Sequence, residues 1–415
     1  MNFDDTPEEA AFRSEVRSWI AANAPHHLKD ALSNAGFGSG PQGIDVIAEA
    51  KAWQKKKADA GWACLHWPKE YGGRGATPIE RVIFGQEEGI YSSLAGTFII
   101  GQGMCGPTVM AFASEEQKRR YLPPLAAGEE VWCQLFSEPA GGSDLAGLRT
   151  RAEPAKDGSG DWIINGQKIW TSGAHYSDMA ILITRTDPTV PKHKGLTMFF
   201  LSMKTPGIEI RPIKQANGQS GFNEVYFTDV RIPDSQRLGA VGDGWKVSLV
   251  TLMNERLAVG GGTGLDYSVI MKLARELQTE NGSALSEQSF REKLADWFVQ
   301  SEGLKYTRFR TMTALSRGQT PGPESSIGKI IAANQLQDLA NSAVELEDQF
   351  GIIDDPSVAP LKAAFQSGLL SAPGLRIAGG TDEILKNIIA ERVLGLPGDI
   401  RVDKDVAFKD MPTGR

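Results

Sequence analysis

Gln134-Leu135-Phe136-Ser137-Glu138-Pro139-Ala140-Gly141-Gly142-Ser143-Asp144 packs two hydroxyls and a flexible glycine pair into a turn that leaves a short apolar strand. Backbone without Cβ atoms can approach a ligand closely there, although the same composition also fits a plain β-turn with an Asx cap. The balance shifts with a second stretch, Asn165-Gly166-Gln167-Lys168-Ile169-Trp170-Thr171-Ser172-Gly173-Ala174. In it an Asn-Gly pair, a strong hairpin signal, is followed by an indole and two hydroxyls. Around both lie strand-like runs at Trp162–Ile164, Met179–Ile183, Leu196–Met203, Ile208–Ile213 and Val225–Ile232, separated by Gly, Pro and Asn turns.

Outside this β region the period is helical. Thr6 followed by Glu9 reads as a capping box with Pro7 at the first helical position, and Phe12, Val16, Trp19 and Ile20 form one apolar face. After about Val241 the helical period returns, with Phe290, Leu294, Trp297, Ser301 and Leu304 along one face and a Pro/Gly loop at Arg317–Pro323. The reading is an α+β multidomain chain with an all-α domain over 1–130, a β domain over 131–240 and a second all-α domain over 241–415. There is no repeat or low-complexity tract to suggest a solenoid or disordered arm.

At 415 residues the chain is long enough for two or three domains of about 150 residues, each with its own core. Hydrophobic residues make up 41% and charged residues 23%, and no apolar run approaches the ~18 residues that suggest a bilayer span. No membrane helix is expected. A net charge of -7, with no long basic cluster, argues against a nucleic-acid partner. Cys64, Cys105 and Cys133 fit neither a disulfide framework nor a zinc site, which points to a reducing compartment. The acidic N-terminus resembles neither a secretory signal nor a transit peptide, so the cytoplasm is expected. The five histidines are scattered, and no metal is expected. His175 reads as a turn residue, since nothing nearby supplies the partner a histidine base needs.

Gly101-Gln102-Gly103-Met104-Cys105-Gly106 matches the dinucleotide glycine pattern literally. Its flanks are helical, whereas that site needs alternating strands and helices around a parallel sheet. The dinucleotide reading is therefore rejected, and Pro107 with Glu115-Glu116 downstream suits a helix start and a capped neighbouring helix.

The two quoted stretches resemble the flavin-contacting segments of the acyl-CoA dehydrogenases. Trp67-Pro68-Lys69-Glu70-Tyr71-Gly72-Gly73, Asn223–Pro233 and Ile377-Ala378-Gly379-Gly380-Thr381-Asp382-Glu383-Ile384 agree with the same family in order and spacing. The resemblance implies an N-terminal helical domain, a central antiparallel β-barrel domain and a C-terminal four-helix-bundle domain, with FAD as cofactor. It assigns Gln134, Phe136, Ser137, Gly142 and Ser143 to the flavin, Ser143 lying where flavin and the CoA part of the substrate meet. Trp170, Thr171 and Ser172 cover the other side of the ring, and Thr381 and Glu383 approach it from the C-terminal domain. An indole shields reduced flavin from water, and nearby donors stabilise the charge that accumulates on accepting hydride.

The activity implied is α,β-dehydrogenation of an acyl-CoA thioester to the 2-enoyl-CoA, as in fatty-acid β-oxidation. Many members place the base glutamate before a Gly-Thr pair, but this chain has Gly379 there, with no side chain. Others supply it from a helix of the third domain, before an arginine, and the matching stretch is Leu252-Met253-Asn254-Glu255-Arg256-Leu257. Glu255 is the candidate base, although a Glu beside an Arg is by default an exposed ion pair. Arg256 falls to a supporting or CoA-side role, and the N–H groups of Gly379 and Gly380 to the thioester carbonyl.

Two stretches depart from the family: Ala274–Ser283 lacks the Phe-Gly loop whose Arg and Phe reach a neighbouring subunit's FAD, and Glu345–Gly351 replaces a glycine-rich stretch near the adenine end. The implied partners are an acyl-CoA and an electron-transfer flavoprotein, and the missing side chain at Gly379 frees space for a branched, cyclic or bulky acyl group. A homo-oligomer, dimer or tetramer, is expected. The alternatives are a flavin oxidase or monooxygenase on the same fold, or a partner subunit of a hetero-oligomeric dehydrogenase.

Overall fold

The computed structural model describes residues 5–33, 43–259, 265, 267–279, 282–317, 322–400 and 403–411. Helix α1 (Pro7–Asn23) starts where the capping box puts it, with Thr6 accepting from the Glu9 N–H and Glu9 reaching back, and it buries Phe12, Val16 and Ile20. Next come α2 (Lys29–Ser33), α3 (Val46–Asp59), α4 (Pro78–Glu88), α5 (Gly106–Phe112) and α6 (Glu115–Ala127). The first turns of α4 and α6 repeat the reciprocal cap, through Thr77 with Glu80 and Ser114 with Gln117.

The dinucleotide-like glycines fall in a π-helical turn, Gly101–Cys105, and at the start of α5. A Cβ on Gly106 would lie 2.3 Å from the Trp67 indole, and one on Gly101 would lie 2.8 Å from Leu125. The glycines make room for packing between helices.

The β region comprises β1 (Trp132–Leu135), β2 (Arg151–Pro154), β3 (Trp162–Ser172), β4 (Met179–Arg185), β5 (Leu196–Ser202), β6 (Ile208–Ile213), β7 (Phe222–Ile232) and β8 (Arg237–Leu238). They form one sheet in the order β6-β7-β3-β2-β4-β5-β8, with β1 joined to β4. Both β1 and β2 pair in parallel with β4, so an otherwise antiparallel sheet contains two parallel contacts.

Side chains alternate between two cores, as a period of two requires. Trp132, Ile181, Met198 and Phe200 join Val109, Leu122 and Leu125 of α5 and α6, whereas Cys133, Ala180, Leu182 and Phe199 join Trp162, Ile164, Val225 and Val230 inside the β domain. Burial on both faces is why β4 and β5 read as continuous apolar runs.

The hairpin expected at Asn165-Gly166 does not form: both residues lie within β3, at an irregularity against β7. A Cβ on Gly166 would meet Thr150 at 2.5 Å, and the Asn165 amide exchanges hydrogen bonds with Asp229 at 3.0 and 2.9 Å. The pair serves close approach of a neighbouring strand and a bulge in which Asp229 takes φ +48°.

After the sheet come α7 (Gly244–Val259), α8 (Tyr267–Glu276), a short hairpin of β9 (Gln278–Thr279) and β10 (Gly282–Ser283), α9 (Gln288–Ser316), α10 (Ser325–Leu346), α11 (Ala364–Ile377) and α12 (Asp382–Arg392). Helix α10 packs on α8, α9, α11 and α12, around Leu273, Leu294, Trp297, Leu336, Leu339 and Phe365. The chain forms two compact units, each assembled from separated stretches. One joins Met1–Val46 and Thr77–Tyr91 to the C-terminal helices Val259–Gly398, with α4 packed on α1 and α9. The other joins Ile47–Ala76 and Ser92–Ala258, which include the sheet and α7, to Asp399–Arg415. No single helix among the described residues is long and apolar enough to cross a membrane.

Gly106→Ala forces a methyl into the Trp67 indole and is expected to cost about 1–3 kcal/mol of stability, read from the urea midpoint. A midpoint equal to that of the parent chain would refute the packing role.

Candidate active site

Strand β1 runs out into the loop carrying Ser137–Asp144, and β3 delivers Trp170–Ser172. A buried cation holds the two segments together. Lys168, fully buried, donates to the Phe136 carbonyl at 3.0 Å and to Glu138 Oε1 at 2.8 Å, and the Ile169 N–H donates to the Ser137 carbonyl at 2.9 Å. Glu138 also accepts from the N–H groups of Arg149 at 2.6 Å and Thr150 at 2.9 Å, which closes the loop at its base. Burial works against its charge, but Lys168, Thr150 and the Arg149 N–H outweigh it and hold the carboxyl below the usual range.

Beyond Lys168 the register against β7 slips, and Trp170 takes φ +59° with its indole 55% exposed. The bulge turns the indole out of the sheet, edge-on to Phe222 with ring centroids 6.1 Å apart. Thr171 is buried, its carbonyl accepting from Asn223 Nδ2 at 2.9 Å while Asn223 Oδ1 meets His175 Nδ1 at 3.1 Å. His175 sits in a single helical turn, Ala174–Tyr176.

Thr171 Oγ1 and Gln134 Oε1 are buried hydrogen-bonding atoms that lack a protein partner. Both belong to segments assigned to the flavin, and the isoalloxazine ring offers donors and acceptors of the kind they lack. Phe136 is buried, Ser137 is half-buried with its Oγ 3.4 Å from where a Gly142 Cβ would stand, and Gly142 and Ser143 are exposed at the loop tip. An apolar base, an unsatisfied amide and hydroxyl, an exposed indole and a glycine loop fit FAD.

Helix α7 buries Val247, Ser248 and Thr251, and Thr251 Oγ1 meets Thr108 Oγ1 of α5 at 2.8 Å. Glu255 follows Thr251 by four residues, on the same face, and is half-buried. Leu252 packs on the cluster that contains Phe136 and Trp132, so α7 and β1 share one core. The Arg256 side chain lies outside the described residues.

The other expected residues belong to the helical unit. Gly379 and Gly380 have φ +66° and +93°, where a side chain would be strained, and the Gly380 carbonyl accepts from Lys329 Nζ at 2.7 Å. Thr381 caps α12, its hydroxyl accepting from the Ile384 N–H at 3.2 Å. Its own backbone N–H and the Thr381 hydroxyl hold the Glu383 carboxyl below its usual range. In this unit Glu347, which follows α10, is buried with Oε2 2.5 Å from Gln366 Nε2 and Oε1 unpartnered. Burial pushes its carboxyl up to about 7.

Neither Lys168 nor Glu138 belongs to the residues that the family motifs single out. A signal was available: Lys168 shares the inward phase of Trp162 and Ile164, and a lysine there needs a carboxylate.

Lys168→Met leaves Glu138 buried without its cation and is expected to cost about 3–5 kcal/mol. In the parent chain the Glu138 contribution is present above the ordinary carboxyl pKa and is lost below about pH 4. In the variant the raised carboxyl reverses the slope, so stability increases as pH falls from about 7 to about 5, followed by urea unfolding. For Glu347 the fold favours the neutral acid, so its contribution is complete below the ordinary glutamate pKa and lost as pH rises through about 7. A Tm decline between about pH 5 and 7 that is shallower in Glu347→Gln is expected, and parallel Tm profiles would contradict it.

Comparison with known proteins identifies the family. The family models for the N-terminal, middle and C-terminal domains of the acyl-CoA dehydrogenases match residues 6–129, 133–230 and 242–394. The acyl-CoA dehydrogenase IpdE1 of Mycolicibacterium smegmatis is 34% identical over 401 residues, 95% of this chain and 99% of that protein. FadE34 of Mycobacterium tuberculosis is 38% identical over 86% of this chain, which spans about half of that relative, 48% of its length. Among solved structures, the Tcur3481-Tcur3483 steroid ACAD is similar with a TM-score of 0.79 and 26% identity, over 96% of this chain and 100% of that one. With the fold, the three family domains and a full-length relative in agreement, the chain belongs to the acyl-CoA dehydrogenases, FAD-dependent oxidoreductases.

Proposed function

We propose that the protein dehydrogenates an acyl-CoA thioester between its α and β carbons, with Glu255 as the base. The observation that carries this reading is the pair of orphaned atoms, Gln134 Oε1 and Thr171 Oγ1, on two segments bonded through Lys168. FAD, when bound, supplies the acceptor for the β-hydrogen, which leaves as hydride. Gln134, Phe136, Ser137, Gly142 and Ser143 bind the ring from one segment, and Trp170, Thr171 and Ser172 bind it and exclude water from the other. Glu255 takes the α-proton on its carboxylate, and Arg256 supports it or the CoA side. The N–H groups of Gly379 and Gly380 polarise the thioester carbonyl, and Thr381 and Glu383 contribute to the flavin site.

The acyl group is branched, cyclic or otherwise bulky. In support, position 379 carries no side chain, and a structural relative at 26% identity is described as a steroid ACAD. The electron acceptor is an electron-transfer flavoprotein, the compartment the cytoplasm, the domains 1–130, 131–240 and 241–415, and the assembly a homo-oligomer. Ile352, Ile377 and Leu394, 88%, 67% and 66% exposed on the helical unit, support association. A second reading, assembly with a related chain, is favoured by the unmatched Ala274–Ser283 stretch and by the ChsE4-ChsE5 complex of Mycobacterium tuberculosis, similar at 26% identity and a TM-score of 0.75.

Anaerobic titration with a panel of acyl-CoAs, following the flavin band, tests the reading. Bleaching by bulky cyclic esters and not by straight medium chains is expected. Glu255→Gln should retain FAD and slow bleaching by about 10²–10⁴-fold. Undiminished bleaching in that variant would eliminate Glu255 as base, and a yellow protein that no ester bleaches would eliminate the reaction. Reoxidation by air alone would favour an oxidase, and co-purification of a related chain the hetero-oligomer.

A further inference from the structure

The loop that carries Gly142 and Ser143 is held at its base by Glu138, and two buried cations hold its far side. Arg185, 4% exposed, donates to the carbonyls of Ala146 at 2.5 Å, Leu148 at 3.2 Å and Lys192 at 2.8 Å. Its hydrogen bonds all go to carbonyls, so no carboxylate of this set neutralises the guanidinium. Lys192, 6% exposed, donates to both oxygens of Asp144 at 2.9 and 3.0 Å, next to Ser143.

Both cations are completed by the same distant stretch of sequence. Phe408 lays its ring on Arg185, with the guanidinium carbon 3.7 Å from the centroid, and Asp403 meets Lys192 Nζ at 2.6 Å. The stretch is fixed by main-chain bonds as well: the N–H groups of Phe408 and Lys409 donate to the carbonyls of Val190 and Pro188, each at 2.9 Å, and Ala407 bridges Pro191. These residues group with the β domain, whereas the helix before them, α12, belongs to the other unit.

We propose that Asp403–Met411 is a strap that positions the Gly141–Leu148 loop through Lys192 and Arg185, making Asp403 and Phe408 positioning residues for ligand binding. The link to ligand binding rests on the flavin and CoA roles proposed for Gly142 and Ser143. The aromatic face and the second carboxylate replace water around two buried charges. Without them those charges draw water in, and the carbonyls of Ala146 and Leu148 and the Asp144 carboxylate lose their fixed anchors.

Hydrogen–deuterium exchange on the FAD-bound protein tests the strap independently of catalysis. In Phe408→Ala, amides of 141–149 should exchange about threefold to thirtyfold faster, with β3 unchanged. Asp403→Asn should act in the same direction with a smaller change, and Phe408→Tyr should restore protection. With the ester that bleaches the flavin, KM should rise in step while kcat stays within about twofold. Unchanged exchange in both variants would overturn the strap, as would an increase spread evenly over the β domain. Faster loop exchange with an unchanged KM would overturn its service to the ligand. If no ester bleaches the parent protein, the dehydrogenase reading fails while the exchange result still decides the strap.

Discussion

A lysine buried in a β-sheet must keep a carboxylate beside it, and the arrangement of this site follows from that constraint. Lys168 can discharge its cost only by reaching Glu138 and the Phe136 carbonyl, which brings the exit of β1 against β3. Once Glu138 is ionised and buried, it takes the N–H groups of Arg149 and Thr150, and the intervening glycine loop becomes a closed structure. The same pairing fixes β3 up to Ile169, so the register slip that follows falls on Trp170 and turns its indole out of the sheet. One ion pair thus determines where two hydroxyl-bearing segments meet and where an aromatic cover projects.

The β domain also shows how a site can be rigid below and open above. Under the two segments that the resemblance assigns to the flavin lies a core closed on both faces, with Trp132, Phe136 and Leu252 of α7 in one cluster. Above it Gln134 Oε1 and Thr171 Oγ1 are among the buried polar atoms that lack a protein partner, and they lie on the two segments that the family resemblance assigns to the flavin. Their neighbours have partners: Asn223 holds the Thr171 carbonyl, and Lys192 holds Asp144. Preorganised donors and acceptors of this kind cost little reorganisation when charge develops on a bound ring.

Much of this was legible from residue patterns. Thr6 with Glu9 located the first helix, the spacing of Phe290, Leu294 and Trp297 located the buried face of α9, and short apolar runs located β3 to β7. The helical flanks of Gly101–Gly106 were legible too, whereas the packing of Gly106 on the Trp67 indole depends on a residue far away in the chain. Asn165-Gly166 misled: its local signal is for a turn, but Thr150 and Asp229 come from elsewhere in the chain and impose a bulge inside a strand. Local propensity loses when a tertiary contact supplies both the space restriction and the hydrogen bonds.

The sequence by itself determined the order of helical and β regions and the family, since each is written in contiguous residues by periodicity, caps and motifs. Only the tertiary structure decided that Lys168 belongs to Glu138, that Trp170 leaves the sheet, and that Asp403 and Phe408 return to Lys192 and Arg185. These pairings join residues tens to hundreds of positions apart, and which buried charge meets which partner depends on how strands and loops stack. No local pattern encodes that, because the desolvation cost that drives each pairing exists only once the chain has folded.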